Sequence, residues 1–178
     1  MRCLIRCVLM LGWLAAWPLQ AAGANIRITD RREHAVAHAV NTLTPDSPPA
    51  KPLPPRTSKT LFVDQKDKTF IPYVQVFRPG DKVVFRNSDT TRHHVYSFSP
   101  IKTFQFVLRS GESSPPLLLD KAGIAAVGCN IHDHMITYLF VSSAPAIAVS
   151  DRTGKVTLEH LAAGAYTVRI WHPQLFPG

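Results

Sequence analysis

The chain has 178 residues, of which 46% are hydrophobic and 18% charged, and its formal net charge is +8 at pH 7. This length allows one domain with a buried core plus a small appendage. The excess of cations favours an acidic partner through electrostatic steering, although a solvated basic surface would have the same composition. The sequence has neither a dense Lys/Arg run nor an aromatic binding face, which argues against a nucleic-acid partner.

Residues 1–24 have the pattern of a secretory signal peptide. A basic start is followed by an apolar run over residues 8–17 and by the Ala-x-Ala cleavage site Ala22-Gly23-Ala24. The apolar run is too short to span a membrane, which takes roughly 20 apolar residues, although a retained N-terminal anchor is an alternative. We therefore expect a periplasmic or secreted protein that meets the membrane only through its cleavable leader.

Cleavage after Ala24 would change both the charge and the cysteine content of the chain. It would remove two arginines and no acidic residue, so the formal net charge would fall from +8 to +6. It would also remove Cys3 and Cys7, leaving Cys129 as the single cysteine, without a disulfide partner in its own chain.

Residues 25–58 are predicted to hold two short strands and a linker. Strand-like segments at 26–29 and 35–40 flank a polar turn, and six prolines then fall between Pro45 and Pro55. Repeated proline fixes φ and removes hydrogen-bond donors, so this linker should be extended, semi-rigid and solvated.

Residues 59–142 are predicted to form an all-β domain. Short alternating segments are separated by turn signals such as Pro79-Gly80 and Ala122-Gly123, and the sequence shows no long amphipathic helix. Short strands at this spacing favour a β-sandwich or barrel. The strand candidates are residues 73–77, 81–86, 92–98, 103–108, 124–128 and 136–141.

Residues 143–178 show a second, smaller β pattern, with strand candidates at 147–149, 156–158 and 166–171. Three strands seldom fold alone. We expect them either to pack onto the main sandwich or to belong to a small module that is cut off at Gly178.

The segment from Gly128 to Met135 carries most of the chemical information in the sequence. Cys129, His132 and Met135 place a thiolate, an imidazole and a thioether in one short loop, between an apolar strand that enters it and another that leaves it. These are three of the four donors of a blue-copper site, in which two His and one Cys surround the metal and a weak Met lies on its axis.

Other interpretations of these donors are less specific. A lone Cys is usually a small core residue, a lone Met is usually core as well, and structural zinc prefers four Cys or His donors. Haem attachment needs Cys-x-x-Cys-His, which is absent. His134 falls at an awkward spacing for ligation in so short a loop, so we expect it to be exposed beside the metal.

The second imidazole must come from elsewhere in the chain, and the strand at residues 92–98 offers two. His93 and His94 are adjacent, so their side chains point to opposite faces of the strand. Apolar content slightly favours His94 as the inward residue, because Tyr96 and Phe98 share its face. The remaining histidines are predicted to be surface residues or non-ligands: His34, His38, His160 and His172.

Residues from about 61 to 141 resemble the cupredoxin superfamily, and most closely the plastocyanin- and amicyanin-like blue-copper proteins of the methylamine-utilisation type. The resemblance lies in residues 63–72, 85–89, 93–100 and 128–135. It implies a Greek-key β-sandwich that binds one copper ion per chain, cycling between Cu(I) and Cu(II). It matches His93 to the family's upstream ligand, so the implied metal ligands are His93, Cys129, His132 and Met135.

Two departures and one weaker resemblance accompany this assignment. His134 stands where relatives tend to carry a bulky aromatic residue, and residues 110–116 look compressed. The flanks, residues 26–40 and 146–173, resemble small transthyretin-like or carboxypeptidase-regulatory-like β modules, which implies a fold and no activity.

The function implied is that of an exported one-electron carrier and not of an enzyme. Its partner would be another redox protein, a cytochrome or a dehydrogenase. Copper storage or delivery without electron transfer is an alternative, as is a structural β-sandwich with a vestigial site.

Overall fold

The computed structural model describes residues 22–47 and 56–175, and this part of the chain is all-β, as the sequence predicts. Within it, no helix has the length and apolar character needed to cross a membrane. The predicted signal peptide lies outside the described residues, except for its last three, which begin the first strand. The strands are β1 (Ala22–Arg27), β2 (Val40–Pro45), β3 (Thr60–Lys66), β4 (Thr69–Ile71), β5 (Val74–Phe77), β6 (Asp81–Asn87), β7 (His93–Ser99), β8 (Lys102–Leu108), β9 (Leu117–Leu119), β10 (Gly123–Cys129), β11 (Ile136–Val141), β12 (Ala146–Val149), β13 (Lys155–Leu161) and β14 (Tyr166–Trp171).

Two sheets packed face to face form the main body. One sheet has the strand order β5-β11-β10-β7-β8, and the other has the order β4-β3-β6-β9. Alternate residues of each strand point into one shared core, as in β10, where Ala125, Val127 and Cys129 are buried. Burying each aliphatic or aromatic core side chain contributes about 1.5–3 kcal/mol, so this core is the main source of stability.

The chain changes sheets repeatedly along the main body. It leaves the four-stranded sheet after β4, returns for β6, leaves for β7 and returns again for β9. Two of the pairings, β3 with β6 and β5 with β11, are parallel. Neither sheet is therefore made from one continuous segment, and β7 and β10, which are separated by β8 and β9 in the chain, become neighbours in the five-stranded sheet.

A smaller β module is built from both ends of the described chain. β2 lies between β12 and β14, while β1 pairs with β13. Its own core includes Leu43, Val156 and Leu158. Segments that the sequence pattern treats separately, residues 25–58 and 143–178, thus pair with each other.

The strand predicted at residues 35–40 is wrong for most of its length. His38 has φ of 63°, in the left-handed region, and β2 begins only at Val40. Ser150 explains the turn, because its hydroxyl accepts the Ala39 N–H at 2.9 Å and donates to the Val36 carbonyl at 2.7 Å. These bonds come from a residue 111 positions away, which local alternation cannot reveal.

Aromatic side chains join the small module to the main body. The Trp171 ring, at the end of β14, lies 5.5 Å from that of Tyr138 and 5.4 Å from that of Phe140 on the outward face of β11. Tyr73 packs edge-on between Tyr138 and His38, with ring centroids 5.6 and 5.4 Å away. These rings cover the outward side of β11 in the five-stranded sheet.

Candidate metal centre

Three donor residues converge where β7 and β10 meet. Cys129 ends β10 and is 4% exposed, and His93 begins β7 and is fully buried. His132 lies in the loop between β10 and β11 and is half-buried. Among the described residues, these three are the one group of His, Cys, Asp or Glu side chains close enough together to hold a metal ion.

Backbone hydrogen bonds close the loop that carries Cys129 and His132. The Met135 N–H donates to the His132 carbonyl at 3.0 Å, and the Cys129 N–H donates to the Met135 carbonyl at 3.2 Å. The Asn130 N–H donates to the His94 carbonyl at 3.0 Å, which ties the loop to β7. A short loop between two paired strands therefore keeps its donors aimed at β7.

The spacing of the donor atoms fits one metal ion. The Cys129 Sγ lies 3.6 Å from the His93 Nδ1 and 3.8 Å from the His132 Nδ1, and all three atoms lie within 4.8 Å of one another. With bond lengths of about 2.3 Å to sulfur and about 2.0–2.1 Å to nitrogen, ligand angles of about 110–120° would separate the two atoms by roughly 3.6–3.8 Å. The donor geometry, not only the donor types, thus fits a bound ion.

His93 is held in the orientation that ligation requires. Its Nε2–H donates to the Asp89 Oδ2 at 2.7 Å, which assigns the proton to Nε2 and leaves the lone pair of Nδ1 facing Cys129. Metal-ligating histidines commonly donate their other ring N–H to a carboxylate in this way, which fixes the tautomer and raises the basicity of the ligand.

Asp89 is itself fixed by the turn between β3 and β4. Its two carboxylate oxygens accept the backbone N–H groups of Asp67, at 2.6 Å, and Lys68, at 3.0 Å. Burial raises the pKa of Asp89, but the hydrogen bonds from Lys68, His93 and Asp67 outweigh it, so the net pKa is lowered. The carboxylate is therefore ionised at neutral pH and available as an acceptor.

The surroundings of His132 favour its neutral form. Its pKa is lowered first by burial, and then by electrostatic interactions with His93 and Lys68. A neutral imidazole has the free lone pair that a metal needs, so His132 is ready to ligate at neutral pH.

His94 lies away from the donor group. Its Nε2 is 3.3 Å from the Gln105 Oε1 on the outward face of β7. The apolar preference for His94 fails because the residues that share its face point outward, and Phe98 is 78% exposed. The structure thus brings His93, and not His94, to Cys129.

Met135 and His134 have contrasting environments. Met135 is 2% exposed and belongs to the main core, and it lines a shallow recess of about 210 Å³ together with Cys129 and Tyr96. His134 is exposed, with its ring 6.3 Å from that of His132. His34 pairs with Asp30 in a surface turn, His160 is exposed, and His38 and His172 belong to the small module.

Sequence reasoning missed the residues that support the ligands. Asp89 stands in the segment 85–89 that carries the family resemblance, but only its spacing four residues before His93 could have identified it as the partner of that histidine. Asn87, which is fully buried, donates from Nδ2 to the carbonyls of Thr91 at 2.8 Å and Leu108 at 2.9 Å. It thereby fixes the loop that places Asp89 beside His93.

The chain is similar to several solved structures. No family model and no curated protein sequence matches the chain. An amicyanin variant in the Cu(I) state is 15% identical, with 47% of this chain and 82% of that chain covered and a TM-score of 0.42. A purple cupredoxin from Nitrosopumilus maritimus is 17% identical, with 46% and 98% covered and a TM-score of 0.41.

A copper-containing nitrite reductase from Thermus scotoductus SA-01 is 25% identical, with 56% of this chain and 25% of that chain covered and a TM-score of 0.41. These TM-scores are below 0.5, so the case for a bound metal rests on the donor geometry of this chain alone. The donor set His93, Cys129 and His132 fits a copper site on its own chemistry.

Proposed function

We propose that this chain is an exported type 1 copper protein that carries one electron at a time. His93, Cys129 and His132 would hold the copper, with Met135 as the axial ligand. The observation that carries the proposal is the position of two imidazole Nδ1 atoms, 3.6 and 3.8 Å from one buried thiol sulfur.

The types of donor favour copper over other metals. A thiolate with two imidazoles suits copper in both its Cu(I) and Cu(II) states, and a thioether is a weak additional donor. Structural zinc sites are closed by four strong donors, whereas the described residues bring together only three strong donors. Copper bound here would supply reversible one-electron chemistry.

The protein's own contribution is a rigid and largely dry cage. His93 is fully buried and held by Asp89, and Cys129 is fixed at the end of a central strand of the five-stranded sheet. Because the donors cannot move far, both oxidation states would share one geometry and little rearrangement would accompany electron transfer. Half-buried His132 is the ligand nearest to solvent, so it is the expected edge for electron entry.

Copper storage or delivery is a second candidate, favoured by one observation. The exposed His134 ring lies 6.3 Å from that of His132, where it could receive a copper ion that leaves the site. Reversible voltammetry of the loaded protein separates the two functions, because a carrier cycles without losing its metal whereas a delivery protein releases it on reduction or to a chelator.

The test of the main proposal is the visible spectrum of the protein loaded with Cu(II). We expect one copper per chain and an intense thiolate-to-copper absorption band, which Cys129→Ser should abolish. Ala125→Ser is the matched control, since it places the same side chain at a fully buried position of the same strand. A band that survives Cys129→Ser, or that is equally lost in Ala125→Ser with the fold intact, would contradict the assignment.

A further inference from the structure

The outward side of the four-stranded sheet combines cations with exposed apolar side chains. We call it the basic face. In β3 and β6, residues that point outward alternate with core residues such as Val63 and Phe85. The face comprises Phe62, Asp64, Lys66, Ile71, Lys82, Val84, Arg86 and Leu118, as the strand register places them.

Three of its four apolar residues are well exposed. Phe62 is 50% exposed, Ile71 51% and Leu118 43%, whereas Val84, which is in register with Phe62, is only 6% exposed. Single exposed apolar residues need no explanation, but a group of them rimmed by charge is typical of a protein contact surface.

Its cations have no carboxylate partners. Within residues 22–47 and 56–175, no acidic group lies within ion-pair distance of Lys66, Lys82 or Arg86. The one acidic residue of the face, Asp64, accepts the Ser88 hydroxyl at 2.7 and 2.9 Å. The Arg86 guanidinium lies 4.9 Å above the Phe62 ring, which holds the charge over the sheet.

The basic face is continuous with the metal centre. Lys66 ends β3, and the next two residues, Asp67 and Lys68, donate their backbone N–H groups to Asp89. Asp89 in turn holds His93. A protein bound to this face would therefore lie against the turn that supports the metal ligands.

We infer that the basic face docks an electron-transfer partner whose contact surface is acidic and partly apolar. The role in electron transfer rests on the proposed function, and the charge preference rests on the three unpaired cations. A second copy of this chain is a poor occupant, because it would place the same cations opposite each other. The contact would be small and transient, as those of redox partners are, and charge would act mainly on the association rate.

The rival surface is the outward face of β7 and β8. Phe98 is 78% exposed and Val107 58% exposed, so this face is more apolar. The outward residues of these two strands include no Lys or Arg, because Lys102 lies on the core side of β8 with Phe104 and Phe106. This face would therefore not select for an acidic partner.

The test compares two double variants that change the net charge equally. Lys82→Glu with Arg86→Glu reverses the basic face, and Arg152→Glu with Arg169→Glu reverses two exposed cations of the small module. The copper-loaded proteins are mixed in stopped flow with a c-type cytochrome of strongly negative net charge. At low ionic strength we expect the first variant to react about 10-fold more slowly than the parent, and the control within about 2-fold. High salt should remove most of the difference.

Two further measurements distinguish a failure of the docking inference from a failure of the proposed electron-carrier function. Oxidation by hexacyanoferrate(III) tests electron transfer without a docked protein, and amide shifts of the copper-free chain on adding the cytochrome map binding without electron transfer. The inference is supported if the amide shift changes centre on Lys66, Lys82 and Arg86 and the basic-face variant also reacts more slowly. Equal rates for both variants, a map centred on Phe98 and Val107, faster reaction with a cationic cytochrome, or dimerisation through this face in sedimentation would each overturn the inference. Lack of reaction with hexacyanoferrate(III) and the cytochrome alike would instead remove the electron-carrier function and the role of the face in it.

Discussion

Replacing Asp89 by asparagine should weaken copper binding without removing any proposed ligand. Asparagine keeps one acceptor oxygen and loses the negative charge. Its NH₂ group opposes the Asp67 N–H if it takes the Oδ1 position, and opposes both the Lys68 N–H and the Nε2–H of His93 if it takes the Oδ2 position. In either orientation His93 loses the charged acceptor that keeps its proton on Nε2 and the lone pair of Nδ1 free for the metal.

The expected loss can be bounded in two ways. A hydrogen bond to a charged group contributes about 1.5–3 kcal/mol. Residues that orient a metal-bound histidine typically contribute 10–100-fold in affinity, which corresponds to about 1.4–2.8 kcal/mol. The two ranges agree, so Asp89→Asn should raise the dissociation constant of copper about 10–100-fold.

The assay is a competition titration with a copper chelator of known affinity, at pH 7. Asp64→Asn is the matched control, because Asp64 bonds the nearby Ser88 hydroxyl and does not contact His93. Circular dichroism of the copper-free proteins checks that both variants fold. A dissociation constant within about 2-fold of the parent for Asp89→Asn would show that Asp89 does not orient the ligand.

Three further predictions concern stability and ligation. Burial raises the pKa of Asp81, but hydrogen bonds from Arg56 and from two backbone N–H groups outweigh it, so the pKa is lowered. The stabilising effect of Asp81 should therefore be present above the unfolded pKa and lost as pH falls through the folded pKa. In urea unfolding, Asp81→Asn should destabilise at pH 7, and its difference from the parent should shrink as pH falls below 3.8. Met135→Gln supplies a harder oxygen donor that favours Cu(II), so voltammetry should give a lower reduction potential than that of the parent, with the colour retained. If His134→Ala shifts the potential more than Met135→Gln does, Met135 is not the axial ligand. His93→Ala should abolish the absorption band or open the site to added imidazole, while His94→Ala should keep it; the reverse result would refute the choice between the two histidines.

The sequence could predict much of the candidate centre because its chemistry is local. Cys129 and His132 are three residues apart, and a loop that short between two strands leaves their donors few directions. The choice of His93 could not be made from strand alternation alone. Tyr96 and Phe98 are apolar yet face outward, and only the assembled sheet shows this.

The supporting residues and the small module could not be predicted for a different reason. Asp89 depends on backbone N–H groups of Asp67 and Lys68, whose position is set by strand pairing. The module depends on β2 pairing with β12 and β14, which follow it by more than 100 residues. Hydrophobic alternation describes one segment at a time and carries no information about distant partners.

The central position of β2 also sets an order of assembly. If the chain is exported from its N-terminus, β2 emerges before either of its neighbours exists on the same side of the membrane. The intervening residues 60–141 contain every strand of the two main sheets, so that body can form while β2 waits with both edges unpaired. During that interval the strand is open to pairing with another molecule, and a chaperone that shields strand edges would act there.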